Sequence, residues 1–215
     1  MKKEKLVKWL TKNGYIRSPL IKDAFTHINR ADFVNSESKD EANENLPMAI
    51  GFERTIPQPS TVAFMLELAE PKFGEKILHI GAGSGWQTAL LAYIVGSKAE
   101  ADAPAGKVIA IEGVEELSQI ATKNLETYHF ISNSIADVLH GDAKDGFAKG
   151  APYDKIVSSV TLKEIPRAWK DEVRIGGRIV TPIGEHIVVL DKTSADSFSR
   201  RQYFGFDFSP LEENK

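Results

Sequence analysis

A glycine-rich segment, Gly81-Ala82-Gly83-Ser84-Gly85, stands between a short apolar run at 76–80 and a helical pattern at 86–95. A glycine turn from strand to helix lets the backbone approach a ligand closely, and the helix start offers it free N–H groups. Loops of this kind serve dinucleotides or S-adenosylmethionine, and spacing separates the two. A dinucleotide fingerprint needs a small residue three places after its second glycine, for pyrophosphate access and close helix–strand packing. That position is Trp86, which disfavours a pyrophosphate and favours S-adenosylmethionine. A tight turn without a ligand is the bland alternative, and the flanking strand and helix argue against it.

Two acids extend the pattern. Glu112 ends the second apolar run and is followed by Gly113; an acid there in a doubly wound sheet sits beside a cofactor ribose and accepts from its hydroxyls. A surface glutamate at a strand end would look the same. Asp142 and Ala143 follow a weaker run, where an Asp oxygen accepts from an adenine amino group and the next backbone N–H donates to the ring. An Asp-containing turn is the plain alternative. His27, His129, His140 and His186 lack metal-ligand spacing, so no metal is expected.

Such residues meet only if a parallel sheet brings their strand ends together. After Pro71, apolar runs at 76–80, 107–112, 155–159, 178–183 and 186–190, with a weaker one at 136–139, alternate with helical faces, which predicts a doubly wound, mostly parallel α/β sheet. Gly184-Glu185 between the last two runs predicts an antiparallel hairpin at the end of the sheet. The stretch 96–106 reads as a surface loop. Before the sheet, 1–34 reads as two short helices, 35–45 as an ordered polar loop, and Ser60 as the N-cap of a helix through Glu70.

The bulk numbers bound the class. With 215 residues and 42% hydrophobic content, one domain is expected: 1–59 as a helical and substrate-side segment and 60–215 as a cofactor-binding core. A net charge of −3, from 27 basic and 30 acidic side chains, gives no reason to expect a nucleic acid as partner. The absence of cysteine excludes disulfides, thiolate metal sites and a cysteine nucleophile, and it fits the cytoplasm. No run reaches membrane-spanning length, and Lys8, Lys12 and Asn13 interrupt any signal-peptide stretch.

At this point the residues resemble a known family, the protein-L-isoaspartate O-methyltransferases, over nearly the whole chain. Arg30-Ala31-Asp32-Phe33-Val34, Leu46-Pro47-Met48-Ala49-Ile50-Gly51 and Thr55-Ile56-Pro57-Gln58-Pro59 follow in the order of that family's substrate-side segment. Ile77 to Gln87, Gly141-Asp142, Pro152-Tyr153-Asp154, Pro166, Gly176-Gly177-Arg178, Pro182-Ile183-Gly184 and Phe208-Ser209-Pro210-Leu211 continue it, the last as a terminal strand.

The resemblance implies a Rossmann-like methyltransferase sheet with antiparallel C-terminal strands and N-terminal helices. It implies methyl transfer from S-adenosylmethionine to the carboxylate of L-isoaspartyl residues in damaged proteins, leaving S-adenosylhomocysteine. By the same resemblance, Ile56, His79, Gly81, Ala82, Gly83, Ser84, Gly85, Glu112, Asp142 and Ala143 are cofactor-binding, and Ile50, Thr55, Val160 and Thr161 face the substrate, an isoaspartyl protein or peptide. The protein is expected to act as a monomer.

Five positions depart from the family pattern. Pro57 stands where the family has a serine taken to act at the active site, and proline offers neither a hydroxyl nor an N–H. His79 replaces a glutamate, Val160 and Thr161 replace small residues, and Ala143 replaces a glycine. Two further readings therefore stay open: a methyltransferase acting on another substrate, or a cofactor-binding relative without isoaspartyl activity.

Overall fold

The computed structural model describes residues 2–96 and 104–208. Helices α1 (Lys3–Lys12) and α2 (Pro19–His27) open the chain, followed by a hairpin of β1 (Met48–Gly51) and β2 (Arg54–Ile56) and by α3 (Pro59–Ala69). Then come β3 (Lys76–Ile80), α4 (Trp86–Gly96), β4 (Lys107–Glu112), α5 (Glu115–Glu126) and β5 (Ala136–His140). The rest is β6 (Tyr153–Ser158), α6 (Arg167–Glu172), β7 (Val173–Ile183), β8 (His186–Lys192) and β9 (Phe198–Phe204).

The main sheet has seven strands in the order β5-β4-β3-β6-β7-β8-β9. The first five are parallel, and β8 and β9 return antiparallel. Strand alternation sorts the apolar runs onto two faces. Ile77, Val108, Val157 and Val180 share a core with Leu66, Leu90 and Leu117 of the helices, whereas Leu78, Ile109, Ile156 and Ile179 pack with Tyr153 and Trp169 on the other side. Burial on both faces makes these strands read as continuous apolar runs.

From β3 the chain order proceeds outward to β4 and β5 on one side and to β6 on the other. Connections leaving neighbouring carboxyl ends in opposite directions open a crevice, the usual ligand position in such sheets. Gly81 lies at the mouth of that crevice, directly after β3.

Several sequence expectations need correction. Ser60 does not cap α3: the cap is Gln58, two residues earlier, and Pro59 takes the first helical position, because proline's fixed φ suits that place and its missing N–H costs nothing there. The Ser60 amide instead donates to Asn45 Oδ1 at 2.9 Å. Strand β7 begins at Val173 rather than 178, passing through Gly176-Gly177. A Cβ at Gly177 would lie 2.8 Å from the Asp154 carbonyl oxygen, so the glycine that disguised the strand is what lets it pack. The last strand is β9, at 198–204, whereas 205–208 is not in a strand and 209–211 lies outside the described residues. So does 97–103 of the expected surface loop.

Candidate active site

The glycine loop is tied into the sheet by its own backbone. The amides of Gly81 and Ala82 both donate to the Ile111 carbonyl, at 2.9 and 3.2 Å, and the Gly85 amide donates to Ala82 at 2.9 Å. Gly83 donates to Glu112 Oε2 at 2.7 Å, while Glu112 Oε1 accepts from the Val114 amide at 3.1 Å. The loop amides expected to be free for a ligand are thus largely engaged within the protein. Gly81 has φ +78, and a Cβ there would meet Val160 Cγ1 at 2.8 Å. Glycine is required on both counts.

The opposite wall comes from the β1–β2 hairpin and the start of α3. Arg30, 1% exposed, fixes this wall by donating to five carbonyls: Nη1 to Ala42 and Glu44, and Nη2 to Leu46, Ile56 and Pro57, at 2.9 to 3.4 Å. Burial lowers its pKa to about 10. Its guanidinium carbon lies 5.0 Å from the Trp86 ring centroid, so one side chain joins the hairpin wall to the start of α4. The hairpin tip holds Phe52 and Glu53, both at positive φ, 53° and 56°.

Between the walls is a cleft of about 680 Å³, a suitable size for a nucleoside-based ligand. Ile50, Arg54, Thr55, Ile56 and Pro57 line one side, and Gly81, Ala82, Gly83, Ser84, Glu112, Ser159 and Val160 the other. Tyr15 and the segment 205–208 complete the rim. A Cβ on Gly83 would come within 3.2 Å of Ile50 Cδ1, so the two walls nearly touch there.

Beneath the loop, His79 is fully buried. Its Nδ1 lies 2.8 Å from Thr88 Oγ1 and its Nε2 2.9 Å from Ser159 Oγ, and Ser159 Oγ donates to Gln87 Oε1 at 2.9 Å. Burial in these neutral surroundings pushes the ring pKa down to about 3, so the ring is neutral at physiological pH. Three buried donors on residues that line the cleft have no partner among the described residues: Ser84 Oγ, Trp86 Nε1 and Gln87 Nε2.

Of the residues expected at the site, Ile50, Thr55, Ile56, Pro57, Gly81, Ala82, Gly83, Ser84, Glu112 and Val160 are gathered on the cleft walls. Gly85 turns into α4, packed against Ala121. Four others stand elsewhere. His79 is not on the wall, because its ring faces α4 and both nitrogens have partners inside the protein. Thr161 lies one residue past the wall, its hydroxyl donating to the Gly184 carbonyl at 3.4 Å. Asp142 and Ala143 follow β5, one strand beyond Glu112; Asp142 Oδ1 accepts from the Lys144 amide at 2.9 Å, and the Ala143 carbonyl accepts from Trp169 Nε1. Gln87 and Ser159 were missed. A histidine in the middle of an apolar strand was the available signal, since a buried imidazole needs two partners.

The site fits S-adenosylmethionine: a cleft of suitable volume, a glycine cradle that a Cβ would obstruct, and buried donors awaiting acceptors.

The comparisons agree with this geometry. The family model for protein-L-isoaspartate(D-aspartate) O-methyltransferase matches residues 1–215. A protein-L-isoaspartate O-methyltransferase of Hyperthermus butylicus is 36% identical over 213 residues, 97% of this chain and 88% of the relative. One from Methanopyrus kandleri is 34% identical over 213 residues, covering 97% and 90%. Among solved structures, a protein-L-isoaspartate O-methyltransferase superposes with TM-score 0.84 at 26% identity, covering 99% of this chain and 67% of that one. A Plasmodium falciparum structure described as a beta-aspartate methyltransferase in complex with S-adenosyl-L-homocysteine shares the fold, with TM-score 0.87 and 18% identity over the whole of both chains.

Proposed function

The chain belongs to the protein-L-isoaspartate O-methyltransferase family, and from that premise we propose how its residues divide the work. The reaction is methyl transfer from S-adenosylmethionine to the carboxylate of L-isoaspartyl residues, a step of protein repair. When bound, S-adenosylmethionine supplies an electrophilic methyl group on a sulfonium.

Glu112 takes the ribose hydroxyls with the lone pairs left over from its two backbone N–H partners, and Asp142 with Ala143 takes the adenine edge. Gly81 to Gly85 bound the cofactor by shape, most of their amides being engaged within the protein. The acceptor carboxylate, with a reference pKa of about 4, is already ionised at neutral pH, so no general base is required. Its alignment falls to Ile50, Thr55, Pro57 and Val160, and the apolar side chains lining the cleft, Ile50, Ile56, Val160 and Phe206, exclude water from a step that neutralises charge. Pro57 contributes shape alone: its ring fixes φ, and its carbonyl is held by Arg30. Residues 1–215 act as one domain and as a monomer in the cytoplasm; among the described residues no helix is long and apolar enough to cross a membrane.

The observation that supports this reading best is the set of buried, partnerless donors beside the glycine loop. Its test is transfer of labelled methyl from S-adenosylmethionine to an isoaspartyl peptide, read as base-labile methyl ester. Ester formation is expected. Its absence with S-adenosylhomocysteine binding intact would overturn the assignment in favour of another acceptor.

A further inference from the structure

The buried chain under the glycine loop has a defined hydrogen-bond direction. A serine hydroxyl has one hydrogen, and Ser159 gives it to Gln87 Oε1, so toward His79 it accepts. His79 Nε2 therefore carries the ring hydrogen, and Nδ1, left bare, accepts from the Thr88 hydroxyl. The carboxamide of Gln87 is thereby oriented: its oxygen faces Ser159, and its NH2 is left over. Gln87 is 5% exposed, lines the cleft, and its Nε2 has no partner among the described residues.

A buried NH2 without an acceptor is costly, and the cost is removed by a ligand that brings one. Ser84 Oγ and Trp86 Nε1, on residues lining the same cleft, are also unpartnered, and all three residues stand at the N-terminal, positive end of the α4 dipole. The grouping favours an acceptor-only anion.

We propose that His79 is a positioning residue that acts through Ser159 to hold the Gln87 NH2 toward a ligand carboxylate. This rests on the methyltransferase reading, which brings two carboxylates to the cleft: that of the cofactor's amino-acid portion and that of the acceptor.

The test combines calorimetric titration with S-adenosylhomocysteine, titration with 5′-methylthioadenosine, which has no carboxylate, and initial rates with an isoaspartyl peptide. If the partner is the cofactor's carboxylate, Gln87→Leu weakens S-adenosylhomocysteine binding about tenfold, the loss of one charge-assisted bond, and leaves methylthioadenosine unchanged. If it is the acceptor's, both affinities hold and the peptide KM rises about tenfold. Either result supports the proposal and names the carboxylate.

Ser159→Ala, which removes only a hydroxyl, and His79→Phe shift the same parameter as Gln87→Leu. Neither adds to the loss when combined with it, as expected of residues acting in series. The proposal is overturned if Gln87→Leu moves neither parameter, or if the Ser159→Ala loss persists in full in the Gln87→Leu background. A wild-type chain that binds no S-adenosylhomocysteine would instead remove the functional reading, and this is seen before any variant is made.

Discussion

The Glu112 carboxylate accepts the Gly83 amide at 2.7 Å, so the last residue of β4 holds the loop that leaves β3. One side chain thus shapes the cradle and, in the proposed role, takes the ribose. Glu112→Ala is expected to weaken S-adenosylhomocysteine binding about 10- to 100-fold by calorimetry, the range for losing charge-assisted hydrogen bonds. Glu112→Gln keeps one acceptor oxygen for Gly83 and is expected to lose less. Equal losses would mean that charge, rather than the hold on the loop, is what matters.

Pro57 lies on the cleft wall and has no hydrogen to give. Pro57→Ser restores a hydroxyl and an N–H at that point, and turnover of an isoaspartyl peptide is expected to rise about 3- to 10-fold, the worth of one added hydrogen bond. The backbone there stays anchored, because Arg30 grips the carbonyl rather than the ring. An unchanged rate would show that this position limits nothing.

The depressed pKa of His79, about 3 against an ordinary 6.5, sets a pH dependence of stability. Between those values the unfolded chain binds a proton that the folded chain does not, so stability falls as pH drops below 6.5, approaching about 1.4 kcal/mol per unit. Urea unfolding should show about 2 kcal/mol less stability at pH 5 than at pH 7 from this group. His79→Gln should flatten that part of the profile.

Phe52 and Glu53 occupy the left-handed region at the tip of the β1–β2 hairpin, where neither side chain is comfortable. The pair Phe52→Asn with Glu53→Gly, which suits a turn with two positive φ angles, is expected to raise stability by about 1 kcal/mol, visible as a higher melting temperature.

The same turn explains why the hairpin escaped the sequence reading. Asn-Gly or Asp-Gly at its tip would have signalled it, whereas Phe-Glu is silent. The central strands were legible because both their faces are buried: Val108 to Ile111 is apolar without interruption, and Ile77 to Ile80 is broken only by His79. At the sheet edge β9 carries Ser199, Arg200, Arg201 and Gln202, all exposed, so no periodicity marks it. The cleft walls followed from residues adjacent to strand ends, Gly81 and Glu112. The relay did not, since Thr88, Ser159 and Gln87 lie 9, 80 and 8 positions from His79 and only folding joins them.

Arg30 finally bears on how the site opens. Its guanidinium is buried without a carboxylate partner among its hydrogen bonds, and the carbonyls that accept from its two terminal nitrogens come from separate stretches, 42–46 and 56–57. If one stretch lifted alone, it would leave a desolvated cation short of acceptors, a penalty of several kcal/mol. The two stretches should therefore peel away together, exchanging their amide hydrogens with one shared opening free energy. The cleft wall then behaves as a single cooperative unit rather than as a loop and a hairpin that breathe independently.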